Sequence, residues 1–204
     1  MKMKMRSSII TLVVAALLVC ISAGRHTPAD TPATDFIKSS CRSTTYPELC
    51  VECLSAYAPA LHRNPRQLAH AALSVSVDRA SAASTFVARI SASHGSGPTR
   101  SREAGAIRDC FETMSDSLDQ LRKSMKEMGK MSKSNDKRGF EWHLSNLQTW
   151  VSAALTDQST CMDGLAEDGR RSSRVRASIR KKVLDVAHVT SNALALINKI
   201  KPGT

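Results

Sequence analysis

The 204-residue sequence predicts an all-α protein, an up-down-up-down bundle of four long helices preceded by a short helical hairpin. Three observations carry that prediction. Within Arg100–Lys130, residues Ile107, Phe111, Met114, Leu118, Leu121, Met125 and Met128 recur in steps of four and three, the spacing of one helix face. Within Ser145–Leu165, residues Leu147, Val151, Ala154, Cys161 and Leu165 mark a second such face. Aromatic residues make up only 4% of the chain while Ala, Ser, Leu and Met abound. Small side chains let helices approach closely and favour a bundle over a sandwich.

The chain opens on MKMKMR, followed by the short apolar core VVAALLVC, with Ser22 and Gly24 at the small-residue positions of a cleavage site. Residues 1–24 therefore read as a secretory signal peptide. A membrane anchor would need a longer apolar run. No later stretch reaches spanning length, so a secreted, extracellular protein with no membrane partner is expected. Cys20 leaves with the signal, and Cys41, Cys50, Cys53, Cys110 and Cys161 remain, an odd number in an oxidising compartment. Two bridges and one free thiol is the economical count. Cys50-Val51-Glu52-Cys53 has CxxC spacing, but no second CxxC and no paired His follow it. A zinc or redox site is not predicted.

Residues 25–33, RHTPADTPA, read as a loose Pro-rich arm, and residues 34–204 as one helical domain. Thr34–Ser40 begins a short helix with Thr34 or Asp35 as cap. Cys41 and Cys50 enclose a small loop turned by Tyr46-Pro47, close enough to form a clasp. Pro47 suits the first turn of a helix through Val51, Leu54 and Tyr57, which Pro59 and Asn64-Pro65 end. Arg66–Ser93 carries two neighbouring stripes. One holds Leu68, Ala72, Val75, Ala82 and Phe86, and the other Leu73, Val77, Ala80 and Val87. Such a helix is packed on two sides. The helices bearing Cys110 and Cys161 follow, separated by the polar loop Lys130–Arg138. After the loop Ala166–Ser173, a last helix runs from Arg174 to Ile200.

The formal net charge is +11, and loss of Lys2, Lys4 and Arg6 with the signal lowers it by three to +8. A surplus of that size suits acidic polymers. No nucleic-acid recognition motif is present, so nucleic acid is not an expected partner. The chain contains no GxSxG, HExxH, P-loop or dinucleotide-binding glycine turn. Asp157 and Asp163 flank Cys161 without a partner for acid–base work. The sequence predicts neither catalysis nor a cofactor. One polar pattern stands out. Asp109, Glu112, Asp116 and Asp119 step by three, four and three, an acidic stripe on one side of the Cys110 helix of a basic protein.

These segments resemble a family. TDFIKSSCRSTTYPELCVECL is similar to the amino-terminal Cys clasp of plant invertase/pectin methylesterase inhibitors, and AIRDCFETMSDSLDQL to their third-Cys helix. NLQTWVSAALTDQSTCMDGL resembles their fourth-Cys helix, and VTSNALALI their closing helix. The resemblance covers the chain from about Asp35 onward. It implies a four-helix bundle with an amino-terminal hairpin and bridges Cys41–Cys50 and Cys110–Cys161. Cys53 is then the free thiol, expected to be buried as a small hydrophobe, and it departs from members that place theirs in the last helix. It also implies that the protein binds and blocks a carbohydrate-active enzyme of the plant cell wall or apoplast.

Two targets divide the family. Invertase inhibitors typically carry Pro-Lys-Phe before the third-Cys helix, where this chain reads Gly97-Pro98-Thr99-Arg100. The expectation is therefore a 1:1 inhibitor of pectin methylesterase, with acid invertase as the alternative target. A non-inhibitory, pectin-binding wall protein is the other class considered. The expected partner face combines Ser81, Ser84 and Thr85 with Glu112, Asp116 and Asp119, and with Thr160 and Asp163. The acidic stripe and Asp163 resemble positions where members turn carboxylates towards the target.

Overall fold

The computed structural model describes residues 32–94, 102–166 and 174–201. The expected signal peptide, residues 25–31 of the arm and the Gly97–Arg100 loop lie outside the described residues. The elements are α1 (Pro32–Cys41), α2 (Pro47–Leu54), a 3-10 segment (Ser55–Ala60), α3 (Pro65–His94), α4 (Arg102–Met131), α5 (Lys137–Gly164) and α6 (Arg174–Ile197). No strand occurs among the described residues. The four long helices close a square. α4 packs most extensively on α5, α3 packs on α4 and α6, and α6 also meets α5. The small hairpin α1–α2 leans on α3 and α6.

Local chemistry sets the boundaries. α1 begins two residues earlier than expected, at Pro32, because Pro is pre-organised for a first helical turn. Thr34 is buried inside that turn, while exposed Asp35 faces the favourable end of the helix dipole. Pro59 sits within the 3-10 segment rather than ending the element. His62 and Arg63 then take left-handed backbone angles, φ 39° and 55°, to reverse the chain into α3. Asn64 caps that helix, accepting the Arg66 and Gln67 N–H groups at 2.8 and 3.2 Å.

The loop between α4 and α5 is shorter than its polar composition suggests, spanning only residues 132–136. Asp136 is the reason, since its carboxylate accepts the Gly139 N–H at 2.7 Å and starts α5. A Cβ on residue 139 would stand 2.5 Å from Ser134 Oγ, so a larger residue there would force that hydroxyl to move. α6 stops at Ile197, three residues early, yet Ile200 folds back through a turn and stays buried.

The core follows the sequence stripes closely on α4, where Ile107, Met114, Leu118, Leu121 and Met128 are buried and Phe111 and Met125 half-buried. α3 departs from expectation. Ala82 is exposed, whereas Ser76 and Ser84 are buried beside Ala69, Ala80 and Ala83. A helix wedged between two neighbours needs small residues at the contact, and Ser76 remains satisfied by donating to the Ala72 carbonyl at 3.0 Å. At the centre, fully buried Gln158 of α5 donates to Ser117 Oγ of α4 at 2.9 Å and to Thr190 Oγ1 of α6 at 3.3 Å. Ser117 in turn donates to the Ala154 carbonyl at 3.1 Å. Three helices are thus held in one register.

Both expected bridges are present. Cys41–Cys50 closes the hairpin with Cα atoms 5.7 Å apart, and Cys110–Cys161 ties α4 to α5 with Cα atoms 4.3 Å apart. Cys53 is free but only half-buried, because α2 lies at the edge of the bundle. The hairpin is fastened to α6 by a two-way amide clamp. Tyr46 N–H donates to Asn192 Oδ1 at 2.9 Å, and Asn192 Nδ2 donates to the Tyr46 carbonyl at 2.8 Å. The Tyr46 ring stacks on His188 with centroids 3.8 Å apart.

Candidate functional site

The seams of α4 and α5 are apolar, so their charged residues are left on the outward side. Cys110–Cys161 fixes how those outward residues meet. Beside the bridge, the start of α4, the end of α5 and Arg176 of α6 line an open groove of about 630 Å³. Its polar lining is Arg102, Asp109, Thr113, Thr160 and Arg176, and Gly105 and Gly164 keep its walls low. Arg176 reaches in from α6 and pairs with Glu103 of α4 at 3.6 Å.

The acidic stripe lies on the same flank. Glu112 pairs with Arg108 at 3.4 Å and Asp119 with Arg122 at 3.3 Å, both pairs open to solvent. Exposed pairs of this kind hold little energy, about 0.2–0.5 kcal/mol, and are readily exchanged for a partner's cation. Asp116 instead faces Asp157 of α5, a like charge. Burial pushes the Asp157 carboxyl above the ordinary carboxylate range, and the charge on Asp116 adds to the rise. Asp157 Oδ2 is buried with no hydrogen-bond partner. This pair is electrostatically unsatisfied, and a cation placed against it would relieve both acids.

Of the residues predicted for the partner face, Glu112, Asp116 and Asp119 are exposed on α4 and Thr160 and Asp163 on α5, with Thr160 lining the groove and Asp116 beside Asp157. The Thr160 hydroxyl donates back to the Thr156 carbonyl at 2.9 Å. The α3 residues do not join them. Ser84 is turned into the core, only 8% exposed, because α3 presents that side to its neighbours. Ser81 is half-buried, and exposed Thr85 donates to the Ser81 carbonyl at 2.9 Å. Sequence reasoning left out Asp157, whose signal was its place one turn before Cys161 on the helix that the bridge holds against Asp116.

No group of three or more His, Cys, Asp or Glu among the described residues is arranged to hold a metal ion. Burial pushes the Cys53 thiol up, against the pull of Arg79 and with Glu52 and Asp185 adding to the rise, so it is a poor nucleophile at neutral pH.

Residues 35–196 match the model of the family described as plant invertase/pectin methylesterase inhibitor. The chain belongs to this family. Among its relatives, a 21 kDa protein of Daucus carota is 46% identical over 196 residues, covering 95% of this chain and 96% of that one. Pectinesterase inhibitor 9 of Arabidopsis thaliana is 42% identical over 191 residues, covering 93% and 92%. A crystal structure of a mutant form of a pectin methylesterase inhibitor from Arabidopsis shares the fold. Its TM-score is 0.63 at 20% identity, covering 81% of this chain and 97% of that one. No helix among the described residues is long and apolar enough to cross a membrane.

Proposed function

We propose that this member of the family is a secreted inhibitor of pectin methylesterase that acts in the plant cell wall by occluding the enzyme's substrate cleft. The observation that carries the reading is the likeness to pectinesterase inhibitor 9, which extends over nearly the whole of both chains. The missing Pro-Lys-Phe before α4 weighs against acid invertase as the target.

An esterase that works on a polymer must leave a long groove open. A rigid bundle laid across it excludes substrate with no bond made or broken. Rigidity favours binding, since little conformational freedom is lost on docking. The Cys110–Cys161 bridge and the Ser117–Gln158–Thr190 contacts supply that rigidity directly beneath the acidic flank. The proposed contact face is Glu112, Asp116, Asp119, Asp157, Thr160 and Asp163, with a 1:1 stoichiometry. The Asp116–Asp157 pair, with its unpartnered buried oxygen, supports this flank as the proposed seat for a basic side chain of the enzyme.

The test is inhibition of purified pectin methylesterase and acid invertase from pH 5 to pH 8. Inhibition of the former alone is expected. Asp116→Ala with Asp119→Ala should weaken it about tenfold or more, as loss of desolvated charge pairs does. The distant pair Lys181→Ala with Lys182→Ala should leave it unchanged. Equal inhibition by all three proteins across that range would remove the acidic flank from the mechanism, and inhibition of invertase alone would reverse the target.

A further inference from the structure

The two ends of the α4–α5 pair differ in charge. The acidic flank lies toward the Cys110–Cys161 bridge. About 30 Å away along α4, at 1.5 Å per residue, the chain gathers cations. Arg63 and Arg66 enter α3, Lys130 and Lys133 leave α4, and Lys137 and Arg138 begin α5. Glu127 takes Lys130 and Glu141 takes Lys137. Among the described residues no ion pair engages Arg63, Arg66, Lys133 or Arg138.

A cavity of about 370 Å³ opens at this end, between the 3-10 segment, the start of α3 and the end of α4. Tyr57, Arg66, Gln67, His70, Ser74 and Ser132 supply its polar lining. Arg66 is held in place by the Phe140 ring, with its guanidinium carbon 5.1 Å from the ring centroid. Its Nε is buried with no hydrogen-bond partner. Lys133 follows Ser132 directly, and Arg63 lies three residues before Arg66 in the left-handed turn.

From these features we infer that the basic end binds an acidic polysaccharide, a chain of uronic acid units with one carboxylate on Arg66. The planar guanidinium matches a carboxylate, and stacking on Phe140 fixes its orientation before binding. Tyr57, Gln67, His70 and the two serines offer the donors, acceptors and ring face that a sugar needs. The free cations around the mouth extend the contact to neighbouring units of a polymer. This goes beyond the proposed inhibition, because the surface is separate from the acidic flank and needs no enzyme.

The test is titration of the purified protein, without enzyme, with oligogalacturonate, fully methyl-esterified oligogalacturonate and dextran sulfate in 150 mM salt. Oligogalacturonate should bind, and the esterified oligomer should bind at least tenfold more weakly for want of its carboxylates. Arg66→Gln should weaken oligogalacturonate binding at least tenfold while its thermal midpoint shows that it folds. Arg63→Ser with Lys133→Ser, both at exposed positions, should weaken a long polymer more than a trimer. Lys181→Ser with Lys182→Ser should change nothing. Wild-type binding by Arg66→Gln, or dextran sulfate binding as tightly as the uronate and equally to every variant, would overturn the assignment. An inhibition assay on the same variants reads the other face, so either reading can fail alone.

Discussion

His143 Nδ1 of α5 lies 2.7 Å from a carboxylate oxygen of Glu127 on α4. Glu127 is only 8% exposed and also accepts from Lys130 at 2.8 Å and Asn146 at 3.5 Å. Burial alone would raise its pKa, but the hydrogen bonds of Lys130, His143 and Asn146 outweigh it and hold the carboxyl below its ordinary value. A lowered folded-state pKa gives stability that is present above the unfolded carboxylate pKa and lost as pH falls through the folded one. Glu127→Gln should therefore cost about 2 kcal/mol at pH 7, the scale of charged hydrogen bonds. The deficit should shrink at pH 3. Urea titrations at both pH values check this, and a deficit that stays constant with pH would contradict it.

The core amide gives an asymmetric prediction. Gln158 donates twice, but its Oε1 is buried without a partner. Ser117 keeps its bond to the Ala154 carbonyl if the amide is lost. Gln158→Met removes the orphaned oxygen along with the two bonds and should fall within about 1 kcal/mol of wild type. Gln158→Glu places a charge among buried groups and should cost about 3 kcal/mol or more at pH 7. Thermal denaturation of the two variants side by side separates them, and similar losses for both would be the contrary result.

Asp157 should behave in the opposite sense to Glu127. Burial, then Asp116, raises its pKa in the folded state. Its contribution is present below the unfolded pKa and lost as pH rises through the folded one. Asp157→Asn should thus gain stability relative to wild type as pH increases from about 4 toward 7. Melting temperatures of both proteins across that interval test it. A variant that lost stability relative to wild type on the same climb would show that the carboxylate has a favourable partner.

The Cys110–Cys161 bridge closes a loop of sequence separation 51, worth about 4 kcal/mol in the chain-entropy description. Cys110→Ala with Cys161→Ala should lower stability by roughly that amount. Loss of the bridge also frees the register of the acidic flank, so inhibition should weaken under conditions where the variant is still folded. Unchanged inhibition would mean that helix packing alone sets that register.

Much of this architecture was legible because the two seams of α4 and α5 repeat at helical spacing with residues that cannot stay in water. The bridges followed from the resemblance of their segments to one family, and the four long helices appear in the order expected. What escaped was decided by neighbours rather than by the helix itself. Ser84 reads as a surface hydroxyl and Ala82 as core, yet their burial is reversed because α3 contacts both α4 and α6. Asp136 reads as loop, and only its bond to Gly139 reveals a cap. On the proposed partner face, the stripe on α4 was visible from its spacing. Asp157 became part of it only through a contact between helices.

The amide clamp between Tyr46 and Asn192 spans 146 residues of sequence. The hairpin is among the first parts of the domain to be synthesised, and its own bridge can close as soon as Cys50 is available. Its seat on α6, by contrast, does not exist until the last helix of the domain has been made. The beginning of the domain can therefore rest on α3 early, but half of its seat is missing while α4 and α5 are completed. Until then Cys53 lacks the neighbours Val189 and Asn192 that α6 places beside it in the folded chain. A chain cut short before Asn192 would leave the hairpin without its clamp however well the first three long helices assembled.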